Sequence, residues 1–400
     1  MKMFWRFIVP SLCVLVLFFT YFKRKYDFER NSDYSQFKFK IFGGKLNKSV
    51  SMNVSTKSES GKDKSINTDL VQDGIFWSDF AESLVPKGLD DNDRMQLVKK
   101  LRHMRVVKIE SGNRSMCGNS NGIIALEDGT KVCAKHRRTH SIYAEALAFY
   151  LSRLLRLDNV PEVILSKLDG SSGQWKRFNF TKLNWKEFEE VAIIRWFNNA
   201  RLKTFMPQVI YNAYKTGKPV NSAMIHESPS LRNKSTAIAE LIQWGTLIVF
   251  DYLVGHHDRL IHYQLFGESG PRFRSFSRHL YNSVKSPNGK IWIIDNEFAF
   301  FTERKHRVSK EYNIHLLTFN NIMLKTMCIF QSSLVGELRN LHKYPSAFHH
   351  LWYYASSFEP LLNNLNRDLQ FNTSAALFNQ RLGDIIGWIY VCKSKSLIKK

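Results

Sequence analysis

Acidic residues are scarce in this chain: 35 aspartates and glutamates stand against 58 lysines and arginines, for a formal net charge of +23 over 400 residues. That balance would suit nucleic acid, an anionic membrane surface or a phosphate-bearing substrate. Yet the basic residues are spread along the chain, with "KHRR" at 135–138 the only dense internal cluster. None of the familiar nucleic-acid-binding motifs occurs, which argues against nucleic acid as a partner. The spacing of a zinc helix is missing as well. His256 and His257 are adjacent, so on a helix they point about 100° apart and cannot close the chelate of an i, i+4 pair. There is no internal repeat. Disorder is excluded for the chain as a whole, because 44% of residues are hydrophobic and 14% aromatic, enough for a full core or two lobes of ordinary size.

"FIVPSLCVLVLFFTYF" (Phe7–Phe22) carries no charge. As a helix it spans about 24 Å, short of a bilayer core of about 30 Å by a gap that snorkelling of Arg6 and Lys23 closes. No small-residue cleavage site follows it, so it reads as an uncleaved signal anchor with residues 1–6 as a short cytoplasmic tail. A short span is compatible with the thinner membranes of the endoplasmic reticulum and Golgi. Basic residues flank both sides of the run, and the positive-inside count alone leaves the orientation open. Sequons at Asn47, Asn53, Asn113, Asn179, Asn233 and Asn372 favour a lumenal body. With Cys13 set aside in the span, four of the five cysteines remain, an even set suited to an oxidising lumen. Local closure favours pairing Cys117 with Cys133 and Cys328 with Cys392 among three connectivities.

Residues 23–75, with stretches such as "NVSTKSESGKDKS", read as a flexible stem. A small sheet-containing lobe is expected over 76–232 and a mainly helical lobe over 233–400. "DDNDRMQLVKKLRHMR" (90–105) opens with helix-capping residues. Its "DND" also matches the D-x-D of glycosyltransferases, but capping accounts for it better. "VVKIE", "GIIAL" and "KVCAK" read as antiparallel strands, the last two joined at Asp128 and Gly129. "SIYAEALAFYLSRLLRL" (141–157) reads as a helix, and 165–230 as largely loop. "TAIAELIQWGTLIVFDYLV" (236–254) is apolar nearly all round, a buried central helix stopped at Gly255. "NGKIWII" is a turn and a buried strand. The fold class is therefore α+β.

Asp258 follows the central helix and Asp295 ends the buried strand. Phosphoryl transfer needs one carboxylate to orient or deprotonate the acceptor hydroxyl and another to hold the cation that bridges the phosphates. It also needs a strand lysine near the phosphates, held by a glutamate on the next helix. Lys135 and Glu145 supply these in the chain order of a protein kinase. On an ideal helix Glu145 lies about 160° from Leu147, so it faces solvent unless that side lines the cleft. Asp251 reads as a buried structural partner, and no role follows for His256 or His257.

"CGNSNGIIALEDGTKVCAK", "AEALAFYLSRLLRLDNVPEV", "LIQWGTLIVFDYLVGHHDRL" and "IWIIDNE" together resemble the Four-jointed proteins, Golgi kinases related to the secretory casein kinase family. The likeness runs from about 117 to 300, with a weaker tail to about 392. It implies an atypical kinase-like two-lobed fold behind a signal anchor, in a type II Golgi protein. The implied activity is phosphorylation of Ser or Thr in cadherin-type domains, with ATP and Mg²⁺ or Mn²⁺. By position, Asp258 is the implied catalytic aspartate, Asp295 the metal ligand and Lys135 the phosphate-binding residue, with Glu145 its partner and a second metal contact. Tyr263 departs from the pattern, standing where these kinases usually carry an asparagine, and leaves a second metal site open. No G-x-G-x-x-G precedes Lys135, a motif that the family also generally lacks. The competing readings are a Golgi glycosyltransferase, which would have a doubly wound parallel sheet, and an inactive kinase-like binding protein.

Overall fold

The computed structural model describes residues 69–397 apart from 112–116, 118–121, 137–138, 172, 181–184, 198–203, 233, 257–258, 261–279, 281, 302–317 and 368. The expected tail, anchor and nearly all of the stem lie outside the described residues, as do Asp258, His257 and Tyr263. The body begins before 76. Leu70, Val71 and Ile75 are buried, and β1 (Val71–Gln72) pairs with β2 (Phe76–Trp77). Ile75 and Trp77 also exchange backbone hydrogen bonds with Phe330 at 2.8 and 3.0 Å. These apolar residues tie the last positions of the expected stem to the helical part.

After α1 (Asp79–Ser83), α2 (Asp91–His103) starts at Asp90, whose carboxylate accepts from Asp93 N–H at 2.8 Å. The acidic triplet at its start is a helix cap, as read from the sequence. Five strands then form one sheet: β3 (Val106–Ser111), β4 (Gly122–Leu126), β5 (Lys131–Lys135), β6 (Val163–Lys167) and β7 (Glu190–Arg195), in the order β3-β4-β5-β7-β6. Every ladder in it is antiparallel. Gly129 takes a φ of +83° in the β4–β5 turn, where glycine alone avoids a steric cost. The sheet alternates as a two-sided strand pattern should. Val132, Ala134, Ile164, Val191 and Ile193 face an outer cluster with Leu101, Trp175 and Trp185. Cys133, Val163, Leu165, Ala192 and Ile194 face the main core.

Helix α3 (Thr139–Leu154) lies on that inner face and is buried from Ile142 to Ser152. Its other side meets the helical part, so one apolar core runs from the sheet through α3 into α7 (Ser235–Val254). Between β7 and α7 come α4 (Gln208–Thr216), α5 (Ser222–Glu227) and α6 (Pro229–Arg232), helices in a stretch expected to be largely loop. Strands β6 and β7 fall in or at the edge of that stretch too. Helix α7 is the one described helix long and apolar enough to cross a membrane, but its side chains are mostly buried within the protein, as in a core helix. A hairpin of β8 (Ser283–Lys285) and β9 (Ile291–Ile293) follows. The chain ends in α8 (Ser332–His342), α9 (Ala347–Ser356), a 3₁₀ segment (Pro360–Arg367) and the long α10 (Leu369–Leu397). Disulfides join Cys117 to Cys133 and Cys328 to Cys392, the pairs that local closure favours. The fold is α+β.

Candidate functional site

Strand periodicity puts Lys135 on the same face as Cys133, the face covered by α3. Glu145 points from α3 to meet it: Lys135 Nζ donates to Glu145 Oε1 at 2.5 Å. Of the two alternatives for Glu145, the buried one holds: the sheet covers the side of α3 opposite its contacts with the helical part, and Glu145 is buried beneath it. Lys135 also donates to Asp295 Oδ1, from just beyond β9. Residues 10 and 160 positions away in the chain thus converge on one ammonium.

Asp295 adopts a left-handed backbone, φ +59°, which aspartate tolerates better than most residues. The turn aims its carboxylate back at the sheet, where its side chain stays 34% exposed while that of Glu145 is 1% exposed. His256 Nε2 lies 3.0 Å from the Asp295 carbonyl, a contact with no signal in the sequence beyond proximity to Asp258. Burial alone would push the Lys135 ammonium down, but Asp295, Glu145 and the nearby Glu297 outweigh it and hold its pKa above the usual lysine value. Lys135 therefore stays charged.

Two carboxylates, those of Glu145 and Asp295, share the one Lys135 ammonium, and Glu297 lies near enough to act on it through its charge. The second oxygen of Glu145 is buried without a hydrogen-bond partner, an arrangement costly for a carboxylate unless a cation or donor completes it. These features fit a site where Lys135 meets phosphate oxygens and the carboxylates of Asp295 and Glu145 meet a divalent cation. Among the described residues there is no ready-made cluster of three or more metal-binding side chains. The structure brings Lys135, Glu145 and Asp295 together, and Asp258 lies outside the described residues.

The Four-jointed box protein middle domain matches residues 92–395. The chain belongs to the Four-jointed box family. The Four-jointed box protein 1 of Xiphophorus maculatus is 29% identical over 333 residues, 81% of this chain and 72% of that one. The extracellular serine/threonine protein kinase four-jointed of Drosophila melanogaster is 23% identical over 317 residues, 68% of this chain and 52% of that relative. A solved structure of the Golgi casein kinase covers 76% of this chain, and 77% of its own, at 13% identity with a TM-score of 0.46. Lys135, Glu145 and Asp295 all fall within the segment that matches the Four-jointed box domain.

Proposed function

We propose that this protein is a membrane-anchored, Golgi-lumenal serine/threonine protein kinase of atypical kinase-like fold, transferring the γ-phosphoryl group of ATP to extracellular, cadherin-type domains. One observation carries the reading: a buried strand lysine shared between a helix glutamate and a strand-end aspartate. The serine/threonine kinase name of the Drosophila relative supports it. The disulfides suit an oxidising compartment. The antiparallel ladders oppose the glycosyltransferase reading, which calls for a doubly wound parallel sheet.

A bound Mg²⁺ or Mn²⁺ would neutralise charge on the phosphates and hold them for in-line transfer. Lys135 holds the phosphate oxygens, kept cationic and aimed by Glu145. Asp295, with Glu145, supplies the metal-facing carboxylates. Asp258 orients the acceptor hydroxyl and takes its proton as its oxygen bonds to the γ-phosphorus and the bond from that phosphorus to the bridging oxygen of the departing ADP breaks.

The test is incubation of the purified lumenal body with ATP, Mg²⁺ or Mn²⁺ and a folded cadherin-type domain. Asp295→Asn should weaken nucleotide use severely, and Asp258→Asn should leave nucleotide binding nearly intact while cutting transfer. Losses of about 10²-fold or more are the scale for such groups. Phosphate incorporation that survives in both variants would mean the site is misplaced. Incorporation absent even from the unmodified protein, with ATP still bound, would favour an inactive binding protein.

A further inference from the structure

The loop leaving α7 and the strand end bearing Asp295 meet at one side chain, that of Arg259. It is fully buried and directly follows Asp258 in the chain. Its Nη2 donates to the Ile294 carbonyl at 2.8 Å and to Asn296 Oδ1 at 2.9 Å, the residues on either side of Asp295. Its Nε donates to the Asn282 carbonyl at 2.9 Å, and its Nη1 to Asp251 on the last turn of α7. The backbone N–H of Arg259 also donates to His256 Nδ1 at 3.2 Å. With Nδ1 accepting, the neutral ring carries its proton on Nε2 and donates it to the Asp295 carbonyl.

Asp295 is therefore held through both chain neighbours and its own carbonyl, by a single residue and the histidine that residue orients. Two non-glycine residues of this network, Asn282 and Asp295, have left-handed backbones, φ +55° and +59°. Conformations of that kind persist where the surroundings over-determine them. Only a planar, five-donor guanidinium can serve four acceptors at these angles, and lysine cannot. Buried ion pairs seldom out-stabilise apolar packing of the same volume, so the gain from burying Arg259 with Asp251 lies in geometry.

We propose that Arg259, the residue after Asp258 in the chain, is a positioning residue that fixes the metal-facing Asp295 relative to the end of α7. The proposal deepens the kinase reading and rests on it for its kinetic consequence, but not for its structural one. Arg259→Lys keeps a positive charge opposite Asp251 and loses most of the bracket. Asn296→Ala removes one acceptor of the bracket, along with the donation of Asn296 Nδ2 to the Ile293 carbonyl at 3.4 Å, and serves as the milder variant should Arg259→Lys fail to fold.

Three readouts are taken on the full lumenal body: amide hydrogen exchange, the Mg²⁺ concentration giving half-maximal phosphate transfer, and kcat. For Arg259→Lys, exchange at 291–296 should quicken by about 10-fold or more while α8 stays unchanged, because the opening is local. The Mg²⁺ midpoint should rise by about 10-fold, and kcat should fall by about 10- to 100-fold, the scale of an ångström-level misplacement. Asn296→Ala should move all three in the same direction by less. A purely structural role would lower the active fraction and leave the midpoint where it was. Uniform acceleration of exchange, or an unmoved midpoint, overturns the proposal. If the unmodified protein transfers no phosphate, the kinase reading fails, and exchange alone then decides whether Arg259 braces Asp295.

Discussion

The hydroxyl of Tyr150 donates to Glu359 Oε1 at 3.0 Å, across 209 residues of chain. The same carboxylate accepts from the Leu165 backbone N–H at 3.1 Å and pairs with Arg102. One buried acid after α9 thus ties α2, α3 and β6 to the helical part, and α3 is the helix that presents Glu145. Burial pushes the Glu359 carboxyl above its usual value, a shift that Arg102 only partly offsets.

Removing that acid strands the Tyr150 hydroxyl and a partly buried Arg102, whose side chain is 28% exposed. Glu359→Ala is expected to cost about 3 kcal/mol, the low end for breaking a buried pair because Arg102 can reach water. Tyr150→Phe removes one hydrogen bond and should cost about 1 kcal/mol. Denaturant unfolding of both variants checks the order. Glu359→Ala should also reduce phosphate transfer, since Glu145 sits five residues before Tyr150 on the helix released.

The compartment can be tested on the cysteines and sequons together. A lumenal body leaves Cys13 as the single alkylatable thiol of the unreduced, denatured chain. Asn179 and Asn372 are both exposed, so a glycan-removing enzyme should lower the apparent mass, and replacing either asparagine should shrink the shift. From loop length alone, losing Cys328–Cys392 should cost about 4 kcal/mol and losing Cys117–Cys133 about 3 kcal/mol. Four further reactive thiols with no mass shift would place the body in the cytosol.

Burial pushes the Asp251 carboxyl up to about 6 despite Arg259 beside it, and one of its oxygens has no hydrogen-bond partner. In the unfolded chain its value lies near 3.8. Between these two values the folded protein keeps a proton that the unfolded chain has released, so folding is favoured most at the acid end. The contribution of Asp251 to stability should decline as pH rises from about 4 to 6, by about 3 kcal/mol in all. Unfolding free energies at pH 4, 5, 6 and 7 for the unmodified protein and Asp251→Asn isolate it by difference. A flat difference would mean that Arg259 keeps Asp251 ionised throughout.

The parts legible in the sequence are those with local signals. The Asp128–Gly129 turn fixed the β4–β5 hairpin, the acidic cap marked α2, and Gly255 closed α7. Lys135, Glu145 and Asp295 could be singled out because each sits at a recognisable element boundary or helix position. Strand β7 carries no such signal: "EVAIIR" is a short, buried central strand, and such a run has no alternation to separate it from a helix fragment. The role of Arg259 was hidden for another reason. The partners of its side chain lie 8 to 37 positions away, and its four side-chain contacts run to backbone carbonyls or to Asn296 and Asp251, whose identities carry no pairing signal. Glu145 was ambiguous because helix periodicity assigns a face but cannot say that both faces of α3 are covered.

Gly255 offers a final test of how tightly the loop is built. It takes φ +66° at the end of α7, and its N–H donates to the Tyr252 carbonyl at 3.1 Å. A Cβ placed there would overlap the guanidinium of Arg381, which reaches in from α10 and whose pKa burial pushes down to about 10. Gly255→Ala therefore meets two penalties, about 1 kcal/mol or more for the left-handed backbone and a steric term that depends on Arg381. The single variant should lose about 2 to 4 kcal/mol in denaturant unfolding and, because Gly255 leads directly into His256, reduce phosphate transfer. Arg381→Ala opens the space, so the double variant should lose less than the sum of the two single ones, with a coupling of about 1 kcal/mol or more, as expected for residues in contact. Strict additivity would mean that the backbone conformation, and not the packing of α10 against the loop, accounts for the glycine.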